Sequence, residues 1–189
     1  MPAVFLVSDT HFGHAGVCRF TRADGCTPLR PWDSAEEMDE AMVMAWNERV
    51  KPTDKIYHCG DVVINRRALS IMDRLNGDKV LIKGNHDIFK DEDYRKYFRD
   101  LRAYHIMNGL ILSHIPIHPE SLGRFGTNIH GHTHSNRVLL PDGSIDVRYH
   151  CVCVEQTPDF APILFEDVLK RIKDEGGTVG FRNGNGPTM

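Results

Sequence analysis

No run of apolar residues in this 189-residue chain approaches the roughly 18 that a membrane-spanning helix needs. Met1 to Val7 lacks the basic flank and small-residue cleavage site of an export signal, so neither membrane insertion nor secretion is expected. Charge of one sign is also scarce. The 23 Lys and Arg against 26 Asp and Glu leave a net charge of -3, which excludes the broad cationic field of a non-specific nucleic-acid binder. Strong nucleic-acid binding is not expected, although charge alone does not exclude a nuclease. The five cysteines, Cys18, Cys26, Cys59, Cys151 and Cys153, form no C-x-x-C pair and no secreted-scaffold spacing. That excludes a disulfide-stapled fold and makes a reducing cytoplasm the simplest setting. With 41% hydrophobic and 26% charged residues, the composition is neither that of a disordered segment nor that of a coiled coil. The length fits one domain. What the chain has in quantity is histidine, eleven in all, the commonest metal ligand and a frequent acid-base group.

Apolar runs and helical patterns alternate through the first half. Val4 to Val7 reads as a strand buried on both faces and ends at Ser8-Asp9-Thr10-His11. Ser34 and Glu37 form a capping box ahead of a helix whose apolar stripe is Met38, Ala41, Met42, Ala45 and Trp46. The sulfurs of Met38, Met42 and Met44 are expected to pack and not to bind a cofactor. Lys55 to Cys59 reads as a second strand, Arg66 to Leu75 as a helix that Gly77 can end, and Val80 to Ile82 as a third strand. Such alternation predicts an α/β sheet with its functional loops at the carboxyl ends of the strands. The second half changes to short strand-like runs at Leu110 to Leu112, Asn128 to Ile129, Val138 to Leu140 and Arg148 to Val154, and a mostly antiparallel second sheet is expected there. A last helix fits Phe165 to Glu175, with Phe165, Val168, Leu169 and Ile172 as its buried stripe. The glycine-rich residues 176–189 read as a flexible tail after one domain spanning residues 1–175.

Five short motifs fall at or just after these strands: Asp9-Thr10-His11, Gly60-Asp61, Gly84-Asn85-His86-Asp87, Ser113-His114 and Gly131-His132-Thr133-His134. All offer oxygen or nitrogen donors and none offers a thiolate. In extended backbone the i, i+2 pairs Asp9/His11 and His132/His134 each point to one side, so each pair can chelate one ion. A glycine precedes Asp61, Asn85 and His132, which suits close approach of the backbone to a crowded centre.

In order and content these motifs resemble the calcineurin-like metallophosphoesterase superfamily, whose pattern is D-x-H, G-D, G-N-H-D or G-N-H-E, H, and G-H-x-H. The resemblance spans roughly residues 4 to 155. The opening Ser8-Asp9-Thr10-His11-Phe12-Gly13-His14 is similar to that of the short, uncapped members of bacteria and bacteriophages. The resemblance implies a four-layer αββα sandwich of two mixed sheets flanked by helices. It also implies two divalent metal ions, one held by Asp9, His11, Asp61 and His134 and the other by Asp61, Asn85, His114 and His132. Asp61 would bridge. Metals about 3.5 to 4 Å apart need a shared anionic oxygen, which a single carboxylate supplies. Mn is the expected ion, with Fe, Zn, Ni and Co also suited to an imidazole, carboxylate and amide set.

The implied reaction is in-line attack of a metal-activated hydroxide on phosphorus. His86 would face the substrate beside Asn85 and donate a proton to the leaving oxygen, with Asp87 orienting its imidazole. His14 and His118, in loops near the motifs, are candidates for substrate contact. His58 and His130 are expected to support the ligands or the core. Cys151 and Cys153 read as a buried pair of small hydrophobes, with half a metal site as the alternative. Arg66, Arg67, Arg124 and Arg148 read as solvated charges, and the alternating charges of Asp91 to Arg102 as a solvated helix face. Because the core consumes most of the chain, no cap or long selecting loop is expected. The expected partner is therefore a small phosphorylated molecule, a cyclic or small nucleotide diester. The alternatives are a phosphomonoesterase, a nuclease and a non-catalytic interaction scaffold on the same fold.

Overall fold

A computed structural model describes residues 2–182. The first sheet is built from β1 (Val4–Val7), β2 (Lys55–His58), β3 (Asp78–Ile82) and β4 (Asp100–Arg102), all parallel, with β9 (Ile163–Leu164) antiparallel on the free edge of β1. The second sheet has the order β5 (His105–Met107), β6 (Leu110–Leu112), β7 (Asn128–His130) and β8 (Tyr149–Cys151).

This second sheet corrects the antiparallel expectation. Only β5 and β6 are antiparallel, while β6, β7 and β8 run parallel. The segments 113–127 and 131–148 are long enough to carry the chain back across the sheet, the condition for parallel neighbours. Val138 to Leu140 forms no strand and contributes a single bridge between Leu139 and Ile145. Asp91 to Arg102 is also not a helix face. It holds one short helix, α2 (Asp91–Tyr94), and then β4, because Tyr94 and Phe98 are drawn fully into the core.

Alternation along the strands divides the apolar residues between two layers. Phe5, Val7, Ile56 and Leu81 face one way, onto α1 (Ala35–Arg49) and the 3-10 helix Arg66–Arg74, where Met38, Met42, Trp46, Leu69 and Met72 are buried. Leu6, Tyr57, Val80 and Ile82 face the other way, onto Leu110, Leu112, Ile129 and Val152 of the second sheet and Phe165, Val168 and Ile172 of α4 (Phe165–Asp174). The outer face of the second sheet carries only a small cluster under the short α3 (Pro119–Leu122). The result is the expected arrangement of two mixed sheets flanked by helices.

The Ser34 hydroxyl caps α1 by accepting from the Glu37 N–H, while the Glu37 carboxylate reaches back to the Asp33 N–H, one residue earlier than a strict capping box. Met44, expected to pack, lies on the outer face of that helix and is 65% exposed. The C-terminal segment expected as a tail is hydrogen-bonded as far as Arg182. Gly177 N–H donates to the Ile172 carbonyl, the Thr127 hydroxyl to the Thr178 carbonyl, and Arg182 N–H to the Arg124 carbonyl. Residues 183–189 lie outside the described residues. No helix among the described residues is long and apolar enough to cross a membrane.

Candidate metal centre

The carboxyl ends of β1, β2, β3, β6 and β7 each lead into one of the five motifs, which gather at one rim. Two groups of side chains converge. Asp9, His11 and His134 form one, and Asp61, His114 and His132 the other, each with donor atoms within 4.8 Å of one another.

The backbone that achieves this is not extended. Asp9, His11, Asp61, His132 and His134 all adopt left-handed φ angles, 58°, 48°, 57°, 68° and 50°. Pairing by simple alternation holds for Asp9 and His11 but fails for His132 and His134, which serve different groups, as the family resemblance implied. Hydrogen bonds from Asp9 N–H to the Gly60 carbonyl and from His11 N–H to the Asp61 carbonyl hold the first turn in this shape. The close approach needs glycine, since a Cβ on Gly84 would collide with the Asp61 Oδ1 and one on Gly131 with the Ser8 hydroxyl and the Asp9 Oδ2.

Each carboxylate has one oxygen tied to the protein and one directed at the centre. Asp9 Oδ2 accepts from the Ser8 hydroxyl at 2.6 Å, the His132 N–H at 2.8 Å and the Cys153 thiol at 3.1 Å. Its Oδ1 is buried without a hydrogen-bond partner, with His11 Nε2 at 3.7 Å and His134 Nε2 at 3.8 Å. Asp61 Oδ1 accepts from the His86 N–H at 2.8 Å, while its Oδ2 lies 3.7 Å from His11 Nε2 and 3.3 Å from His114 Nε2. Asp61 thus touches both groups. The Asn85 Oδ1 completes the second, 2.8 Å from His114 Nε2 and 2.9 Å from His132 Nδ1. An orphaned buried carboxylate oxygen facing two imidazole nitrogens is a poor arrangement for a bare protein and a suitable one for a divalent cation. The residues fit two ions sharing Asp61.

Electrostatics agree. Burial opposes ionisation of Asp9, but His11 and the fields of His114 and His134 outweigh it and hold the carboxyl well below the usual range. Burial also opposes charge on His114, yet the contact with Asp61 and the nearby Asp9 raise its pKa. His114 Nδ1 bonds the Cys59 carbonyl at 2.8 Å, which aims Nε2 at the centre.

Two residues that local sequence pattern did not reveal complete the surroundings. The Glu155 side chain is fully buried, and its Oε1 lies 3.0 Å from His134 Nδ1. The same oxygen accepts from Arg30 Nε at 2.9 Å and Nη2 at 2.8 Å. The Arg30 guanidinium also donates to the Asp9 and Thr10 carbonyls at 2.5 and 2.7 Å. Burial would raise the Glu155 carboxyl, but Arg30 and His134 hold it below its ordinary value. The one available sign was an acid at the end of the buried run Cys151 to Val154, where the other strand-end motifs sit.

The remaining expected residues divide. His86 is exposed, with its ring centroid 5.5 Å from that of His11. Asp87 does not orient that imidazole. Its buried carboxylate is occupied by three backbone donors, the N–H groups of Asp61, Val62 and Gly84 at 2.8, 3.1 and 2.8 Å, so it fixes the Asp61 and Gly84 turns instead. His14 lies 5.8 Å from the His11 ring, and its Nδ1 accepts from the Gly16 N–H. His118 caps α3, accepting from the Glu120 N–H. His58 and His130 are buried, and burial pushes their pKa values down to about 3 and about 4, so both are neutral. Cys151 and Cys153 are buried, and neither belongs to the two donor groups.

The chain matches the calcineurin-like phosphoesterase family over residues 3–144, three quarters of its length and all seven donors of the centre. It belongs to that family. Among its relatives, this phosphoesterase is 33% identical over 142 residues to the uncharacterised protein MJ1445 of Methanocaldococcus jannaschii, covering 73% of each chain. Among solved structures, it overlays the Aquifex aeolicus protein of unknown function AQ665 at 25% identity with a TM-score of 0.63, covering 90% of this chain and 100% of that one. A looser overlap, with a TM-score of 0.43 and 18% identity over 79% of this chain and 81% of the other, is with a protein described as a novel archaeal phosphodiesterase.

Proposed function

We propose that this calcineurin-like phosphoesterase hydrolyses phosphodiesters of small-nucleotide size with the aid of two divalent ions, Mn foremost, as a short uncapped member of its family. The observation that carries the reading is the pair of donor groups joined at Asp61 Oδ2, one oxygen within 3.7 Å of His11 Nε2 and 3.3 Å of His114 Nε2. Asp9, His11, Asp61 and His134 would hold one ion, and Asp61, Asn85, His114 and His132 the other. Bound there, the ions would supply a hydroxide nucleophile at neutral pH and would neutralise charge on the phosphoryl oxygens.

The protein's own groups do the rest. Arg30 and Glu155 keep His134 aimed at Asp9, while Asp87 keeps the Asp61 turn in place. His86, exposed beside the centre and tethered to Asp61 through its backbone N–H, is the group available to bind a phosphoryl oxygen or to give a proton to the departing alkoxide. A diester is favoured over a monoester because no cap among the described residues encloses the centre, which leaves room for an ester arm on either side of the phosphorus.

The test is hydrolysis of bis(p-nitrophenyl) phosphate and p-nitrophenyl phosphate by chelator-stripped protein with and without added Mn, with Asp61→Asn as the control. Mn-dependent diester cleavage that the variant lacks is expected. A preference for the monoester would replace the reading with a phosphatase, and metal binding without turnover on either would replace it with a scaffold.

A further inference from the structure

Two separate cavities open onto the centre, one from each side of its ligand set. The first, about 520 Å³, is lined by Asn85 and His114 and continues onto Tyr104, Ile111, Ile115 and Ile117. The second, about 440 Å³, is lined by His132 and His134 and continues onto Phe20, Leu29 and Asn136. They share no lining residue. Both volumes fall in the range of small-ligand pockets.

Each cavity carries an aromatic ring that the fold leaves uncovered, Tyr104 at 57% and Phe20 at 53% exposure. In the first cavity the floor is effectively apolar, because the Ser113 hydroxyl is already committed to the Ile115 carbonyl at 2.7 Å and the Asn128 amide at 2.9 Å. In the second, Phe20 stands edge-on to His14 at 5.9 Å, which places the ring beside the His11 side of the centre. The segment carrying Phe20 is held in place by the Leu29 N–H to Phe20 carbonyl bond at 2.7 Å and by Arg30. Other cavities, around Arg49, Lys170 and Arg171 or around Pro2 and Lys51, touch none of the donors.

We infer that the cleft is two-sided and selects linear phosphodiesters bearing a planar ring on each arm, one ring against Tyr104 and the other against Phe20. This rests on the phosphodiesterase reading and narrows it. A nucleoside monophosphate or a cyclic mononucleotide carries only one base and fills one cavity, whereas a linear dinucleotide presents a base to each. Exposed aromatic faces beside a phosphate-binding centre are what base stacking requires, and stacking tolerates any base.

The test has a binding arm and a turnover arm. Saturation-transfer NMR of thymidylyl-(3′→5′)-thymidine with the metal-free full chain is expected to show transfer to both bases. Tyr104→Ala should lose transfer to one base and Phe20→Ala transfer to the other. In the Mn-loaded protein each variant should raise KM for bis(p-nitrophenyl) phosphate about two- to tenfold with kcat kept within about a factor of two. For methyl p-nitrophenyl phosphate only one of the two variants should matter. Transfer to a single base, loss of the same base in both variants, or absent transfer while the wild type hydrolyses diesters would each overturn the two-sided cleft alone. Absence of Mn-dependent diester hydrolysis in the wild type would overturn the phosphodiesterase reading on which it stands.

Discussion

Replacing Glu155 by Gln removes one charge from a pair whose side chains are wholly buried, Glu155 with Arg30, and weakens the acceptor for His134 Nδ1. Removing one partner of a buried pair costs about 3 to 5 kcal/mol because the other charge stays without compensation. The lower end applies here, since the Arg30 guanidinium keeps the Asp9 and Thr10 carbonyls as acceptors. For a chain of this size about 3 kcal/mol corresponds to a fall in Tm of roughly 6 to 12 °C. A ligating imidazole that loses its orienting carboxylate loses about 10- to 100-fold in metal affinity. Thermal unfolding of the metal-free protein and calorimetric titration with Mn measure the two effects separately. A double variant, Arg30→Met with Glu155→Leu, distinguishes their origins. Arg30 already lies against the Met38 and Met42 sulfurs, so apolar replacement should recover part of the stability, whereas His134 remains without an acceptor and affinity stays low. Wild-type Tm together with unchanged Mn affinity in Glu155→Gln would show the assigned role of this carboxylate to be wrong.

Gly84→Ala drives a methyl group into Asp61 Oδ1 and should abolish binding of at least one ion, checked by metal content after dialysis. His86→Asn should keep both ions yet slow cleavage of diesters with alkyl leaving groups far more than of those with nitrophenolate; equal slowing would argue against proton donation. Asp39, which accepts from the Gly13 N–H with both oxygens, is pushed up to about 6 by burial. Its folded pKa exceeds the unfolded value of about 4, so the stability it contributes is complete below that value and is lost as pH rises through the folded pKa. A rise of this size is worth at most about 3 kcal/mol. Asp39→Asn should therefore gain on the wild type between about pH 4 and 7 in chemical denaturation, and a constant difference across that range would contradict the assignment.

The rim of the first sheet was readable because each chemistry-bearing motif follows an apolar run, and parallel strands bring such ends together. Strand direction in the second sheet was not readable. It depends on where the connections 113–127 and 131–148 travel, which short apolar runs do not encode. Tyr94 and Phe98 were hidden in a stretch whose alternating charges imitate a solvated helix. At the centre, residue types and order identified the donors, and the family resemblance gave their division between two groups, whereas alternation alone pairs His132 with His134 because it does not anticipate left-handed backbone. Arg30 and Glu155 are 125 residues apart and meet only in three dimensions. Only the acid closing the run Cys151 to Val154 hints at one half of such a pair, and the adjacency of Asp87 to His86 conceals its bonds to the Asp61 turn.

The left-handed donors restrict what can replace them. Aspartate, asparagine and histidine are the side chains that ligate hard or borderline ions, and they are also the non-glycine residues that enter left-handed backbone most readily. At Asp9, His11, Asp61, His132 and His134 the two requirements fall on the same residues. Substitution here is thus filtered twice, once by coordination chemistry and once by sterics at Cβ. Threonine, valine or isoleucine would fail the second filter before the first was tried. Exchanges between Asp, Asn and His can keep the turn intact while changing the ion, so tolerated variants of this rim should alter metal preference sooner than they unfold the protein.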